Sequence, residues 1–127
     1  MTYLLDTHSF LWFINGDTSL SLSARNAIES PENFVFISVG SLLEIAIKVS
    51  LKKLDLGMPF SELSEHIVNN GFEILPISFE HTLQLSLLPF FHRDPFDRIL
   101  IAQARSEKIS IIGKDDLFTE YDVKLVW

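Results

Sequence analysis

The side chains with the greatest chemical capacity in this sequence are four carboxylates, those of Asp6, Glu44, Asp97 and Asp115. Several carboxylates within a few ångströms of one another cannot all remain ionised unless a cation compensates them. The chain has no cysteine and no pair of histidines at ligand spacing, and a site of oxygen ligands favours Mg²⁺ or Mn²⁺ over zinc. We therefore predict a divalent-metal site if the fold brings these acids together.

Such a site has a natural reaction class. Mg²⁺ held by carboxylates keeps several waters, binds substrate phosphates and activates a water against a phosphodiester, which is nuclease chemistry. Arg93, Arg98 and Lys114 lie near the acids in sequence and are candidates for contacts to substrate phosphates, and Lys48 could supply further positive charge. Each of these basic residues is nevertheless more often a solvated surface charge.

Two of the acids have structural interpretations that compete with metal binding. Asp6 ends a predicted strand and opens a helix, so it is also a good cap for that helix. Glu44 stands among aliphatic residues, where a carboxylate is costly to bury unless it is paired or bound to a metal. The alternative for Glu44 is an ion pair with Lys48, one helical turn later, on a solvated face.

The other acids have similar alternatives. Asp94, Pro95 and Asp97 form a near-ideal helix start, with an N-cap, a proline at the first position and an acid at the third. The same arrangement places two carboxylates at the positive end of a helix. Asp115 is a candidate cap for segment 116–119, a role for which Asp116 is equally suited.

Hydrophobic periodicity places the acids on an α/β fold. Short, continuous apolar runs alternate with helical patterns, which is typical of a parallel sheet covered by helices on both faces. We predict a three-layer α/β/α sandwich with a short parallel sheet. The predicted strands are 2–6, 34–38, 72–77, 109–112 and 122–126, and the predicted helices are 8–15, 21–30 (capped by Ser21 or Ser23), 41–53, 60–70, 79–88 and 95–107.

This arrangement brings the acids to one edge of the sheet. Asp6 and Asp115 follow strands, Asp97 opens a helix, and Glu44 begins the helix after another strand. The carboxyl ends of parallel strands meet at one edge, where open α/β sheets bind their ligands. The joint placement favours a metal site, because separate capping roles do not explain it.

Composition fits one domain over residues 1–127, with 47% hydrophobic residues available for a core. The absence of cysteine fits a reducing cytoplasm. No signal peptide or membrane-spanning run is recognisable, so we expect a soluble cytoplasmic protein. A formal net charge of −7 opposes passive binding to nucleic acid, although a bound cation would let phosphate approach.

Signatures of other enzyme classes do not occur. The five glycines form neither G-x-G-x-x-G nor G-x-x-x-x-G-K-[ST], and there is no G-x-S-x-G. His8 and His92 lie close to the acids in sequence. A plain polar role is favoured for both over support of the metal site.

Four blocks of the sequence resemble those of PIN-domain toxins of the VapC type. The resemblance spans nearly the whole chain, and the third block is long and specific. The blocks are 4–8 (Leu-Leu-Asp-Thr-His), 41–48 (Ser-Leu-Leu-Glu-Ile-Ala-Ile-Lys), 92–104 (His-Arg-Asp-Pro-Phe-Asp-Arg-Ile-Leu-Ile-Ala-Gln-Ala) and 113–118 (Gly-Lys-Asp-Asp-Leu-Phe).

The resemblance implies that the four acids hold Mg²⁺ or Mn²⁺, with Asp94 either a further ligand or only the helix cap. It also implies an endoribonuclease directed at single-stranded RNA that forms homodimers and is inhibited by a cognate antitoxin. The chain departs from the family at Gly113, where a Thr or Ser usually supports the metal. That departure puts a minor ligand in doubt.

Two other functions remain open at this point. One is a PIN ribonuclease that acts in RNA processing without an antitoxin, against which the small size argues. The other is an inactive PIN-fold module that only holds a partner, against which the four acids argue. The apolar helices 42–51 and 60–70 are candidates for a dimer face or an antitoxin groove, although core packing is the favoured use of both.

Overall fold

A sheet of five parallel strands forms the centre of the computed structural model, which describes residues 1–127. The strands are β1 (Thr2–Leu5), β2 (Phe34–Ser38), β3 (Glu73–Leu75), β4 (Ser110–Ile112) and β5 (Leu125–Val126). Their order across the sheet is β3-β2-β1-β4-β5, and every neighbouring pair is parallel. The predicted parallel α/β fold is confirmed.

Six α-helices connect the strands and cover the sheet. They are α1 (Thr7–Ile14), α2 (Leu22–Glu29), α3 (Val39–Ser50), α4 (Leu63–Asn69), α5 (Phe79–Leu87) and α6 (Pro95–Glu107). Side-chain caps explain several starts, because the hydroxyls of Ser21, Ser38 and Ser78 accept hydrogen bonds from the first turns of α2, α3 and α5. The cap at Ser38 starts α3 two residues earlier than predicted.

Several segments differ from the sequence prediction: β3 covers only three residues of the predicted strand 72–77, and α3 ends at Ser50 rather than at residue 53. The predicted helix 60–70 is a 3₁₀ turn, Phe60–Glu62, followed by α4. The predicted strand 122–126 is shortened to β5, because a 3₁₀ helix occupies Asp116–Tyr121 and Asp122 turns the chain with a φ of 59°. A positive φ is incompatible with extended strand geometry, so β5 begins later.

Successive residues of the central strand point into two separate cores. Leu5 of β1 belongs to a core that includes Phe10 of α1 and Ile45 of α3. Leu4 belongs to the core on the opposite face, which includes Leu100 of α6 and Ile111 of β4. Because both faces are buried, the strand is continuously apolar rather than alternating.

The carboxyl ends of β2, β1 and β4 lie side by side at one edge of the sheet. Asp6 extends this edge by one residue, since its backbone N–H donates to the carbonyl of Ile112 at 3.0 Å. The first side chain after β1 is thereby fixed beside the end of β4. None of the helices has the length and apolar character needed to cross a membrane.

Candidate metal centre

Asp6 both caps α1 and faces the edge of the sheet. Its Oδ1 accepts a hydrogen bond from the Ser9 N–H at 2.8 Å, while its Oδ2 lies against Gly113. Burial raises the pKa of Asp6, hydrogen bonding at Ser9 lowers it, and the charge of Asp115 raises it further. The cap therefore uses Oδ1 of the carboxylate, and Oδ2 takes no part in it.

Glu44 lies in the second turn of α3 and is 4% exposed. Its Oε1 accepts a hydrogen bond from Thr7 Oγ1 at 2.8 Å, and its Oε2 accepts one from Lys48 Nζ at 2.7 Å. The ion pair considered from the sequence is present, but it does not place Glu44 on a solvated face. The hydrogen bond to Glu44 raises the pKa of Lys48, and the charges of Glu44, Asp94 and Asp97 act in the same direction.

Asp94 and Asp97 occupy the start of α6, as predicted. Asp94 Oδ1 accepts from the backbone N–H groups of Phe96 and Asp97, at 2.8 and 3.5 Å, so Asp94 is the helix cap. Burial, followed by the charge of Asp94, raises the pKa of Asp97 to about 7, and the charges of Glu44 and Asp115 contribute. The ionised form of Asp97 is therefore disfavoured first by burial and then by the neighbouring carboxylates.

Asp115 completes the group. Its Oδ1 accepts from the N–H of Leu117 at 3.0 Å and caps the following 3₁₀ helix. Its Oδ2 lies 2.8 Å from Nε2 of His92, which is also 3.1 Å from Oδ2 of Asp97. Ligand atoms of His92, Asp97 and Asp115 lie within 4.8 Å of one another.

The four predicted acids do not all belong to this tight group. Asp97 and Asp115 do, whereas Asp6 and Glu44 flank it. The flanking acids are still close enough to act by charge, since Asp115 raises the pKa of Asp6 and Glu44 raises that of Asp97. The structure thus gathers the predicted residues at one edge of the sheet, with two of them at its centre.

Two residues of the site were undervalued by the sequence analysis. His92, for which a plain polar role was favoured, lies between two of the acids. Thr7 directly follows Asp6 and donates to Glu44. Their nearness to the acids in sequence was the only available signal, because both contacts depend on residues 37 or 23 positions away.

One predicted phosphate contact is wrong. Arg98 is buried, and its guanidinium donates to the carbonyls of Leu88, Pro89 and His92 at 2.8 to 3.2 Å. The same group lies 4.0 Å from the centre of the Phe90 ring. Its donors are committed to the chain itself and do not reach an RNA phosphate. Arg93 and Lys114, in contrast, are exposed beside the acids.

The donor set fits a hard divalent cation. Asp6 and Asp115 each use Oδ1 for a cap, and Oδ2 of both faces the edge of the sheet, as does the carboxylate of Asp97. Burial raises the pKa of both Asp6 and Asp97, and the charges of neighbouring carboxylates raise both further. Oxygen-rich sites of this kind suit Mg²⁺ and Mn²⁺.

Comparison with known proteins shows which family the chain resembles in sequence and which solved structures it resembles in fold. The family described as PIN domain matches residues 3–124. Two solved structures have a similar fold. VapBC2 from Rickettsia felis bound to a DNA fragment from their promoter gives a TM-score of 0.76 at 20% identity, covering 98% of this chain and 97% of that chain. FitAcB from Neisseria gonorrhoeae gives a TM-score of 0.64 at 18% identity, covering 97% of this chain and 95% of that chain.

A search of curated proteins finds no match to this sequence. At 20% and 18% identity, the two structural similarities establish the fold alone. The family match rests on the sequence and spans almost the entire chain. This chain belongs to the PIN-domain family.

Proposed function

We propose that this chain is a Mg²⁺- or Mn²⁺-dependent endoribonuclease and the toxin of a type II toxin–antitoxin pair of the VapC type. In this proposal a single PIN domain over residues 1–127 acts in the cytoplasm. The observation that carries the proposal is the approach of Asp97 and Asp115, with His92, to within 4.8 Å at the carboxyl edge of the sheet. Asp6 and Glu44 flank that group.

The metal would be held by the carboxylates of Asp6, Glu44, Asp97 and Asp115. When bound, a divalent cation supplies an activated water and neutralises charge that develops on a phosphodiester. The chain supplies the position of the ligands. Thr7 and Lys48 hold Glu44 by its two oxygens, and the caps at Asp6 and Asp115 fix those two side chains.

Proton release is part of loading this site. Asp97, whose pKa lies at about 7, carries a proton on a substantial fraction of molecules at neutral pH. Ligand carboxylates must be deprotonated, so metal binding competes with that proton and releases it. Exposed Arg93 and Lys114 are the proposed phosphate contacts, and they lie beside the acids on a chain that is otherwise strongly negative.

The proposed partners are RNA, a second copy of the chain and a cognate antitoxin. The similar structures are a VapBC2 assembly and FitAcB, which supports an antitoxin. Helices α3 and α5 expose large apolar side chains that a partner would cover. These side chains are Leu43 and Ile47 on α3, Leu51 at its C-cap, and Phe79, Leu83 and Leu87 on α5.

The partner surfaces are tested by placing a charge on each helix. We expect Ile47→Asp on α3 or Leu87→Asp on α5 to prevent dimerisation or antitoxin binding. Light scattering after gel filtration would measure the mass of each variant, alone and with antitoxin. Unchanged assembly in both variants would contradict the assignment of these faces.

Nuclease activity is tested by incubating purified protein with a structured RNA pool in Mg²⁺, Mn²⁺ or EDTA. We expect metal-dependent cutting that falls about 1,000-fold or more in Asp97→Asn, because a metal ligand contributes several kcal/mol to the transition state. Asp116→Asn is the matched control, since Asp116 is an exposed neighbour of Asp115. We expect this variant to cut at the wild-type rate.

The same experiment separates the alternative functions. Folded protein that neither binds metal nor cuts RNA would favour the inactive partner-binding module. Metal-dependent cutting without growth arrest on expression in cells would favour the RNA-processing ribonuclease.

A further inference from the structure

His92 lies at the centre of the acidic site but is not one of its acids. Its Nε2 is 2.8 Å from Oδ2 of Asp115 and 3.1 Å from Oδ2 of Asp97. The side chain is 12% exposed, and the ring packs against Phe118 with centroids 5.9 Å apart. The imidazole is therefore well placed to bind the metal or to hold the acids that bind it.

The other ring nitrogen decides between these roles. Nδ1 of His92 accepts a hydrogen bond from the backbone N–H of Asp94 at 3.2 Å. A nitrogen that accepts carries no proton, so the proton of the neutral ring is on Nε2. Nε2 therefore donates toward the two carboxylates. If Nε2 bound a cation instead, the ring proton would move to Nδ1 and oppose the Asp94 N–H.

The backbone around His92 is fixed by buried groups. The His92 N–H donates to the hydroxyl of Tyr121 at 2.6 Å, and its carbonyl accepts from Arg98 at 3.2 Å. Arg98 and Tyr121 are both almost fully buried. These contacts hold the ring where Nε2 reaches both Asp97 and Asp115. The position of the ring therefore depends on tertiary contacts.

We propose that His92 is a positioning residue that donates from Nε2 to Asp115 and Asp97 and holds these two carboxylates together for one divalent cation. This inference rests on the proposed metal-dependent function. It gives His92 a role outside the set of metal ligands. Residues that hydrogen-bond to metal ligands orient those ligands, and their removal typically lowers metal affinity about 10- to 100-fold.

Two substitutions test the two hydrogen-bonding functions of the ring separately, the donor at Nε2 and the acceptor at Nδ1. The amide nitrogen of His92→Gln replaces the donor at Nε2, whereas the amide oxygen of His92→Asn replaces the acceptor at Nδ1 and the side chain is too short to reach the acids. We expect His92→Asn to weaken Mn²⁺ binding about 10- to 100-fold. We expect His92→Gln to remain within about threefold of the wild type, because one neutral hydrogen bond is lost.

Mn²⁺ affinity would be measured on the full chain by titration calorimetry or by the free-ion EPR signal. Thermal melting would show that each variant is folded. Equal affinity in His92→Asn and the wild type, or equal loss in both variants, would overturn the positioning role. Failure of the wild type itself to bind Mn²⁺ would overturn the proposed metal-dependent function as well, so the two failures are distinguishable.

A spectroscopic measurement tests the tautomer argument directly. Pulsed EPR of bound Mn²⁺ detects nitrogen that coordinates the ion through its hyperfine coupling. We expect no coupling from a directly bound imidazole in the wild type. A nitrogen coupling that disappears in His92→Gln would show that His92 is a ligand and would overturn the proposal.

Discussion

The two halves of the acidic site are built in different ways. The strand half consists of Asp6 and Glu44, and the loop half consists of His92, Asp97 and Asp115. In the strand half, Asp6 follows β1 directly, extends the sheet ladder, and caps the helix α1 that follows it. In the loop half, His92 stands on the segment between α5 and α6, outside any helix or strand, and depends on distant residues for its position.

The two halves therefore differ in whether local or tertiary structure positions their residues. Sheet and helix geometry determine where the strand half lies, because Asp6 directly follows β1 and Glu44 lies within α3. The position of His92 in the loop half depends on buried Arg98, whose guanidinium donates hydrogen bonds to three carbonyls of the segment 88–92. We therefore expect the two halves to respond differently to substitutions outside the acids themselves.

The largest expected effect on stability is at Arg98, which donates to the backbone of His92 in the loop half. Arg98→Met removes the buried guanidinium that donates to the carbonyls of Leu88, Pro89 and His92, which we expect to lower the free energy of unfolding by about 3–5 kcal/mol. Urea unfolding would measure this loss. Arg93→Met is the matched control, because Arg93 is exposed, and it should change stability by less than about 0.5 kcal/mol. Similar small effects in both variants would contradict the structural role of Arg98.

A smaller effect is expected at Gly113, which lies against Asp6 of the strand half. A Cβ at residue 113 would lie 2.6 Å from Oδ2 and 2.9 Å from Cγ of Asp6. Asp6 is buried and its Oδ1 is already used for the cap, so we expect Gly113→Ala to cost about 1–3 kcal/mol and to weaken Mn²⁺ binding. The Thr or Ser that the family usually has at this position would meet the same obstacle.

A double-mutant cycle tests the cause of the Gly113 effect. In an Asp6→Ala background the nearest remaining atom of residue 6 is its Cβ, 3.4 Å away, which is close to ordinary contact distance. Gly113→Ala should then cost little more stability. An equal cost in both backgrounds would locate the strain elsewhere.

The smallest expected effect is a pH dependence of stability that comes from Asp97. A carboxyl group whose pKa is about 7 in the folded chain and about 3.9 in the unfolded chain binds its proton more tightly when folded. Metal-free stability should therefore fall as pH rises from about 4 to 7. Because the side chain is partly exposed, we expect a loss of about 1–2 kcal/mol between pH 5 and pH 8.

The variant Asp97→Asn isolates that contribution. It should remove this part of the pH dependence and make the metal-free protein more stable at pH 8. The raised pKa of Asp6 gives a slope of the same sign, which remains in the variant. Unfolding by urea at several pH values in EDTA would measure both slopes, and parallel curves for the two proteins would contradict the assignment.

Much of the fold could be predicted because each element carries its own signal. β1, β2 and β4 are buried on both faces and are therefore continuous apolar runs. The start of α6 is marked by Asp94 and Pro95, and the structure shows both at the predicted cap and first helical position. The edges of the sheet were less predictable, since β3 and β5 are only three and two residues long and their ends depend on neighbouring turns.

The sequence by itself determined the identity of the four acids, their order along the parallel fold and the edge at which they meet. It did so because strand ends and helix starts are local features. Only the tertiary structure decided that Asp97 and Asp115 approach each other most closely, that His92 lies between them, and that Arg98 is buried. Those outcomes depend on hydrogen bonds between residues distant in sequence, which no local pattern records.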